Sequence, residues 1–418
     1  MLIWSLFLLL AVGFVGVAGK AEVAAVDIDD DVGRNVVEIV QARGYFVETH
    51  KVVTADDYVL TMYRLPKTYV ESQAGAKPAA AKPVVLLQHG LLDSSFTFVN
   101  NFRNQSLAFV LVDAGYDVWL GNNRGTTWSR EHLTYTDDDD EFWEFSWEDM
   151  GSTTSPQKST LAPVAWTGHL TAKIFKGMAD VHLDKLFQAF AISEFSAKST
   201  FLQEMIAGFA CTVADELCNS AVALVAGPSV STNTSRIPVY ISQTPAGTSV
   251  KNMAHYAQNI RDNTFAAYDY GCKCKRDPGI EKCSEKKCEN KKVYGSFDPP
   301  AYPIEKMVYP RTGFFIGSAD TIATATDIER LRDALPSGTI VHELAVKEYS
   351  HLDLVWAYNA NEKIYQDLLA QLDKYQGVGY TRIPEPIDPG SGVNSASIGS
   401  MTDDAIESRT SFSFRQLD

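Results

Sequence analysis

The chain of 418 residues has no cysteine outside the window from Cys211 to Cys288, where all six lie. A disulfide framework spread over the whole molecule is thereby excluded. In an exported chain an even, clustered set reads as local bridges. Cys211 and Cys218 form the simplest pair, and the connectivity of Cys272, Cys274, Cys283 and Cys288 stays open. The spacing of those four, in CKCKRDPGIEKCSEKKCENKK, fits no common zinc finger, so neither a metal nor a cofactor is expected. Basic charge is also scarce. With 37 Lys and Arg against 52 Asp and Glu, the net charge of −15 argues against nucleic acid or an anionic membrane as a partner reached by electrostatics. No apolar run of membrane-spanning length follows the first twenty residues, so no integral span is expected. The pattern Gly-x-Ser-x-Gly, which would place a serine on a strained strand-to-helix turn, occurs nowhere.

What is present starts with Met1 to Gly19, a short apolar run ending in small residues. Although it lacks the usual basic start, it reads as a secretory signal peptide, which makes the mature chain secreted or lysosomal/vacuolar. The sequons Asn104-Gln105-Ser106 and Asn233-Thr234-Ser235 mark Asn104 and Asn233 as glycosylation positions on that route. An apolar content of 45% suffices for a large core.

The patterning then alternates between strand and helix. Tyr45 to Thr54 and Tyr58 to Leu65 predict an N-terminal hairpin around Ala55-Asp56-Asp57. Val84 to Leu87 is a continuous apolar run, as expected for a parallel strand buried on both faces. Ser106 to Ala114 predicts a helix closed by Gly115, and Tyr116 to Leu120 the next strand. Late in the chain come a strand at Thr312 to Ile316, a helix at Asp327 to Leu335, a strand at Thr339 to Val346 and an amphipathic helix at Asn361 to Tyr375. This is the signature of an α/β fold, a mostly parallel sheet flanked by helices. The expected divisions are a signal peptide (1–19), the first part of the core (20–165), an inserted mainly helical cap with the cysteine-rich loop (166–300), the rest of the core (301–376) and a disordered tail (377–418).

Asp320 and His351 each follow one of the late strands, in the chain order of the acid and histidine of a hydrolase triad. The acid would fix the imidazole tautomer and stabilise its cation, while the imidazole takes a proton from a nucleophile. His89-Gly90-Leu91 follows the first parallel strand, where an amide can point into a site as an oxyanion donor.

Six stretches make a resemblance specific: QHGLLDSS (88–95), SLAFVLVDAGYDVWLGNNRGTTWSREH (106–132), EFWEFSWEDM (141–150), PAGTSVKNMAHYAQ (245–258), FFIGSADTIATATD (314–327) and EYSHLDLVW (348–356). Together they resemble the acid lipase family of α/β-hydrolases, which includes gastric and lysosomal lipases. The resemblance implies Asp320 as triad acid, His351 as triad base and the Leu91 amide as one oxyanion donor. It also implies a cap over an acyl-ester pocket, a cap disulfide that Cys211 and Cys218 match with altered spacing, and a lipid ester substrate or lipid–water interface as partner.

The family's nucleophile elbow belongs between the Trp-Glu-Asp-Met and Ala-Pro-Val-Ala segments. Here only a ten-residue stretch separates Met150 from Leu161, whereas a strand–helix–strand unit needs about 30 residues. Ser152 has no strand before it, and Pro156 blocks early helix growth. Ser249 belongs to the cap motif, and Ser229 follows a proline that would distort an elbow. The central strand and elbow are therefore read as deleted, leaving two ladder edges exposed. The abrupt join between well-matched flanks points to one excised block, as from a mis-spliced transcript or a wrongly drawn gene model. The expected function is a lipase or esterase acting on triacylglycerols or sterol esters, inactive as written; a non-catalytic secreted lipid binder is the alternative.

Overall fold

The computed structural model describes residues 29–150, 158–180, 182, 193–195, 227–272, 287–307, 311–378 and 415–416. The expected signal peptide, Ser152, the Cys211–Cys218 pair, Cys274, Cys283 and most of the tail lie outside these residues. Strands fall into three sheets. The hairpin is β1 (Glu48–Val53) and β2 (Tyr58–Leu65), turned at Asp57 with its φ of 67°. It is followed by β3 (Val84–Gln88), β4 (Asp117–Gly121) and the short β5 (Glu131–His132). These pair as β1-β2-β4-β3 with β5 beside β2; β3 and β4 are parallel. A second sheet takes β6 (Lys158–Leu161), β9 (Thr312–Gly317) and β10 (Ile340–Val346), all parallel, with β9 central. Between them in sequence come β7 (Glu194–Phe195) and β8 (Thr248–Ser249), a two-stranded pair of their own. The last strand, β11 (Arg415–Gln416), pairs with Val52 and Val53 of β1.

Local chemistry explains the elements. The helix Val36–Ala42 opens on a capping box of Asn35 and Glu38, and Tyr69–Gln73 on one of Thr68 and Glu71. Gly115, at φ +96°, terminates the helix Leu107–Asp113 as its sequence position predicts. Each of these ends uses side chains or glycine to satisfy backbone groups that the helix leaves unpaired. The helix side chains Leu107, Phe109, Leu111 and Val112 join Val118, Leu120, Phe314 and Phe315 in one hydrophobic cluster that spans both main sheets. Between β6 and β9 the described chain adds no strand to either main sheet; it contributes the helices Lys173–Asp180, Ile237–Gln243, Val250–Asp262 and Glu289–Tyr294.

One expectation fails at β3. Its apolar run is not buried on both faces: Val84 is 66% exposed and Leu86 49%. Among the described residues β3 pairs only with β4, and β6 only with β9. An apolar sequence records the neighbours a strand is built for, not those it has.

Candidate active site

Because β9 and β10 are adjacent and parallel, the loops that leave them emerge side by side at one end of the sheet. Asp320 sits in the turn after β9, its side chain 1% exposed. Its Oδ1 accepts from the amides of Ile322 (2.7 Å) and Ala323 (2.8 Å), leaving Oδ2 to accept from Nδ1 of His351 at 2.8 Å. Both ends of the carboxylate are thus fixed, and the imidazole presents its other edge to a cavity that it lines. The structure brings together the two residues that the sequence places 31 positions apart.

The histidine loop has its own latch. Asp353 is fully buried and accepts from Ser350 N (2.7 Å) and Ser350 Oγ (2.9 Å), from Thr232 Oγ1 (3.1 Å) and from Ser229 Oγ. At the neck of β9, a Cβ on Gly317 would fall inside contact distance of the Tyr349 carbonyl and lie 3.1 Å from that of Ser350. Gly317→Ala should therefore push the His351 loop off Asp320. We expect a stability loss of about 1–3 kcal/mol, the usual cost of overpacking, read as a lower urea midpoint. An unchanged midpoint would count against this tight packing.

The loop that carries Leu91, the expected oxyanion donor, is braced by two others. His89 is buried; its Nε2 accepts from Asn123 N (3.0 Å) and its Nδ1 donates to Gly90 O (2.8 Å). Burial pushes its pKa down to about 4, so the ring is a neutral brace. The Leu91 amide forms no hydrogen bond among the described residues, and Leu91 lines the cavity with His351. Leu92 (φ 61°) turns its carbonyl to accept from Ala246 N at 2.8 Å, while Ala246 O accepts from Thr127 N at 2.7 Å. The PAGTSV motif thereby locks the Leu91 loop to the loop after β4.

Sequence reasoning passed over Asp93, which also lines the cavity. Burial pushes its carboxyl up to about 6, against the lowering influence of Ser94 N, Thr97 and the His351 charge. An acid whose folded pKa is raised binds more protons folded than unfolded between about 4 and about 6, so its contribution falls as pH rises through that window. Asp93→Asn should flatten that part of the stability–pH curve, measured by urea titration at pH 4, 5, 6 and 7. A curve parallel to that of the parent would remove Asp93 from the account. Its position four residues past His89, in a polar run after an apolar strand, is a weak signal that only burial turns into a perturbed group.

The cavity has a volume of about 2040 Å³, well above the roughly 300–1,000 Å³ of ordinary ligand pockets. It runs from Leu91, Asp93 and His351 between β3 and β6 to Leu372 and Val378.

Other sequence candidates fall elsewhere. Ser249 is fully buried and caps the helix Val250–Asp262, accepting from Asn252 N (2.9 Å) and donating to Phe145 O (2.5 Å). The hydroxyl of Ser229 is committed to the Asp353 latch. Asn104 is exposed in a turn, whereas Asn233 Nδ2 donates to Gln105 Oε1 at 3.1 Å. Cys272 and Cys288 form a disulfide. Among the described residues no cluster of His, Cys, Asp or Glu is placed to hold a metal, and no helix is long and apolar enough to cross a membrane.

Parallel strands β3–β4 and β6–β9–β10 flanked by helices, with an acid–histidine pair on the loops after β9 and β10, define an α/β-hydrolase fold. The model of the partial α/β-hydrolase lipase region matches residues 36–102. Gastric triacylglycerol lipase of Bos taurus is 31% identical over 409 residues, covering 87% of this chain and 98% of its own. Lysosomal acid lipase/cholesteryl ester hydrolase of Homo sapiens is 32% identical over 395 residues, covering 84% of this chain and 93% of its own. The chain belongs to the acid lipase family of gastric and lysosomal lipases. Among solved structures, a monoglyceride lipase from Saccharomyces cerevisiae covers 78% of this chain and 97% of its own at 12% identity, with a TM-score of 0.41.

Proposed function

We propose that this protein carries the acid–base half of a lipid ester hydrolase on the secretory route and lacks the nucleophile half. The observation that carries the reading is the Asp320–His351 hydrogen bond, whose imidazole shares one cavity with Leu91. In the complete mechanism His351 would take the proton of a serine hydroxyl as its oxygen attacks the ester carbonyl. Asp320 would hold the resulting imidazolium, and Leu91 N–H would donate to the developing oxyanion. The acyl-enzyme would then be released by water. Triacylglycerols or sterol esters are the substrates that the gastric and lysosomal relatives suggest.

Two observations support the missing half. β3 and β6 each lack a second partner among the described residues, where a central strand would pair with both. The bovine match spans 409 positions while using 87% of this 418-residue chain, so several tens of positions in it have no counterpart here. With no elbow, no acyl-enzyme forms and only a small residual rate remains.

A fluorophosphonate probe tests this directly. The purified chain should show no serine labelling under conditions that label bovine gastric lipase fully. Stoichiometric labelling would overturn the proposal. Sequencing transcripts across the codons for Met150 to Leu161 separates a natural deletion from a misdrawn one, since an intact transcript would encode a Gly-x-Ser-x-Gly block there.

A further inference from the structure

The gap between the two main sheets has two hydrogen-bonding banks. In a parallel ladder, a residue's N–H and C=O leave the same side of the strand, and successive residues alternate. Asp117 N donates to Pro83 O, so Pro83, Val85 and Leu87 face β4. Val84, Leu86 and Gln88 therefore turn their backbone groups into the gap. On the other bank Ala162 N donates to Phe315 O, so Leu161 faces away from β9, also into the gap. Both banks line the one cavity. They also run in the same direction. The loop after β3 and the loop after β9 meet at the His351 end of that cavity, and β6 is parallel to β9.

Apolar side chains predominate around the gap: Val84, Leu86, Leu161, Leu368 and Leu372 line it, with Gln88, His342 and Gln371 among the polar ones. The exposure of Val84 and Leu86 is thus apolar surface beside backbone with no partner among the described residues, the combination that recruits an added strand. A fatty-acyl chain would cover the apolar surface but leave the amides and carbonyls of Val84, Leu86, Gln88 and Leu161 without partners. An extended peptide satisfies both at once.

We propose that the cleft between β3 and β6 is a strand-acceptor site. Its occupant is an extended, uncharged, apolar peptide segment of about five residues from another polypeptide, lying parallel to both banks. The segment's carboxyl end lies beside His351. Residues with small or β-branched side chains suit it, because the cleft is lined mostly by apolar side chains. This inference rests on the proposed absence of the central strand and not on the catalytic assignment, so peptide binding tests it apart from serine labelling.

The test uses the full chain and a fluorescein-labelled peptide, Lys-Lys-Thr-Val-Ile-Val-Val-Lys, read by fluorescence anisotropy. Saturable binding is expected, with slowed hydrogen exchange at the amides of Val84, Leu86 and Gln88. A peptide with prolines at alternate core positions should not bind. Leu86→Pro is the informative variant: its lost N–H faces the gap, so the β3–β4 ladder keeps every bond while strand addition is blocked. It should weaken binding at least tenfold. Should that variant fail to fold, Leu86→Lys places a charge on the same bank and should weaken binding likewise. Absence of binding, binding that either variant leaves unchanged, or saturation by oleate with no exchange protection at those three amides would each overturn the proposal.

Discussion

Grafting a strand–elbow–helix block from bovine gastric lipase between Met150 and Lys158 should raise ester hydrolysis by about 10⁴–10⁶-fold. The size of the effect follows from what is already in place. Asp320 is held by two amides and by His351, and the Leu91 amide has no hydrogen bond among the described residues. On the proposed reading only the hydroxyl and the second oxyanion amide are missing, and both would arrive on the elbow. The block would enter between β3 and β6, whose open edges already run parallel. In the grafted chain His351→Ala should remove about 10⁶-fold and Asp320→Asn about 10⁴-fold, because the asparagine would no longer hold the catalytic tautomer. In the parent chain neither substitution should change the residual rate. Hydrolysis of a short-chain nitrophenyl ester measures all of these. A grafted, fluorophosphonate-reactive chain indifferent to His351→Ala would refute the assignment of the base.

Arg236→Ala should cost about 3–5 kcal/mol of stability, the largest loss expected from a residue outside the site. Its guanidinium is fully buried. Nη1 donates to Asp29 (2.8 Å) and Asp31 (2.6 Å), while Nε (3.1 Å) and Nη2 (2.6 Å) donate to the Asn100 carbonyl. Truncation leaves that carbonyl without its donors and takes one of three arginines from Asp31, the others being Arg34 and Arg43. The pH dependence has a definite sign. Burial alone would raise the Asp31 carboxyl, but Arg43 and Arg236 outweigh it and hold it below the usual range. A depressed acid contributes stability that is fully present above the unfolded value of about 3.9 and is lost as pH falls through the folded value. Losing Arg236 should move the acid limb of the stability curve to higher pH. Urea midpoints between pH 3 and pH 7 measure both effects, and a loss below 1 kcal/mol would show that Arg34 and Arg43 suffice.

The hairpin, the parallel strands, the helix ended by Gly115 and the late strand–helix alternation were all legible in the sequence. Apolar periodicity, caps and turn residues are local, and local chemistry selected these elements. Asp320 and His351 were legible too, because each follows a buried strand closely and in triad order. The run at Val84 to Leu87 was legible as a strand and misleading about its surroundings. Whether a strand is covered depends on which neighbours exist, and no five-residue pattern records that. The same reason separates the remaining features. The raised carboxyl of Asp93, the Asp353 latch and the Arg236 centre bring in segments far apart in the chain, and the Cys272–Cys288 bridge is one of several pairings that the spacing allows. Distance along the sequence carries no information about distance in space until the core packs. By itself, then, the sequence determined the elements of an acid-lipase fold, a candidate acid and histidine in triad order, and the lack of any Gly-x-Ser-x-Gly pattern. The tertiary structure alone decided that Asp320 and His351 meet at 2.8 Å, and that β3 and β6 line one cavity with no second ladder partner among the described residues.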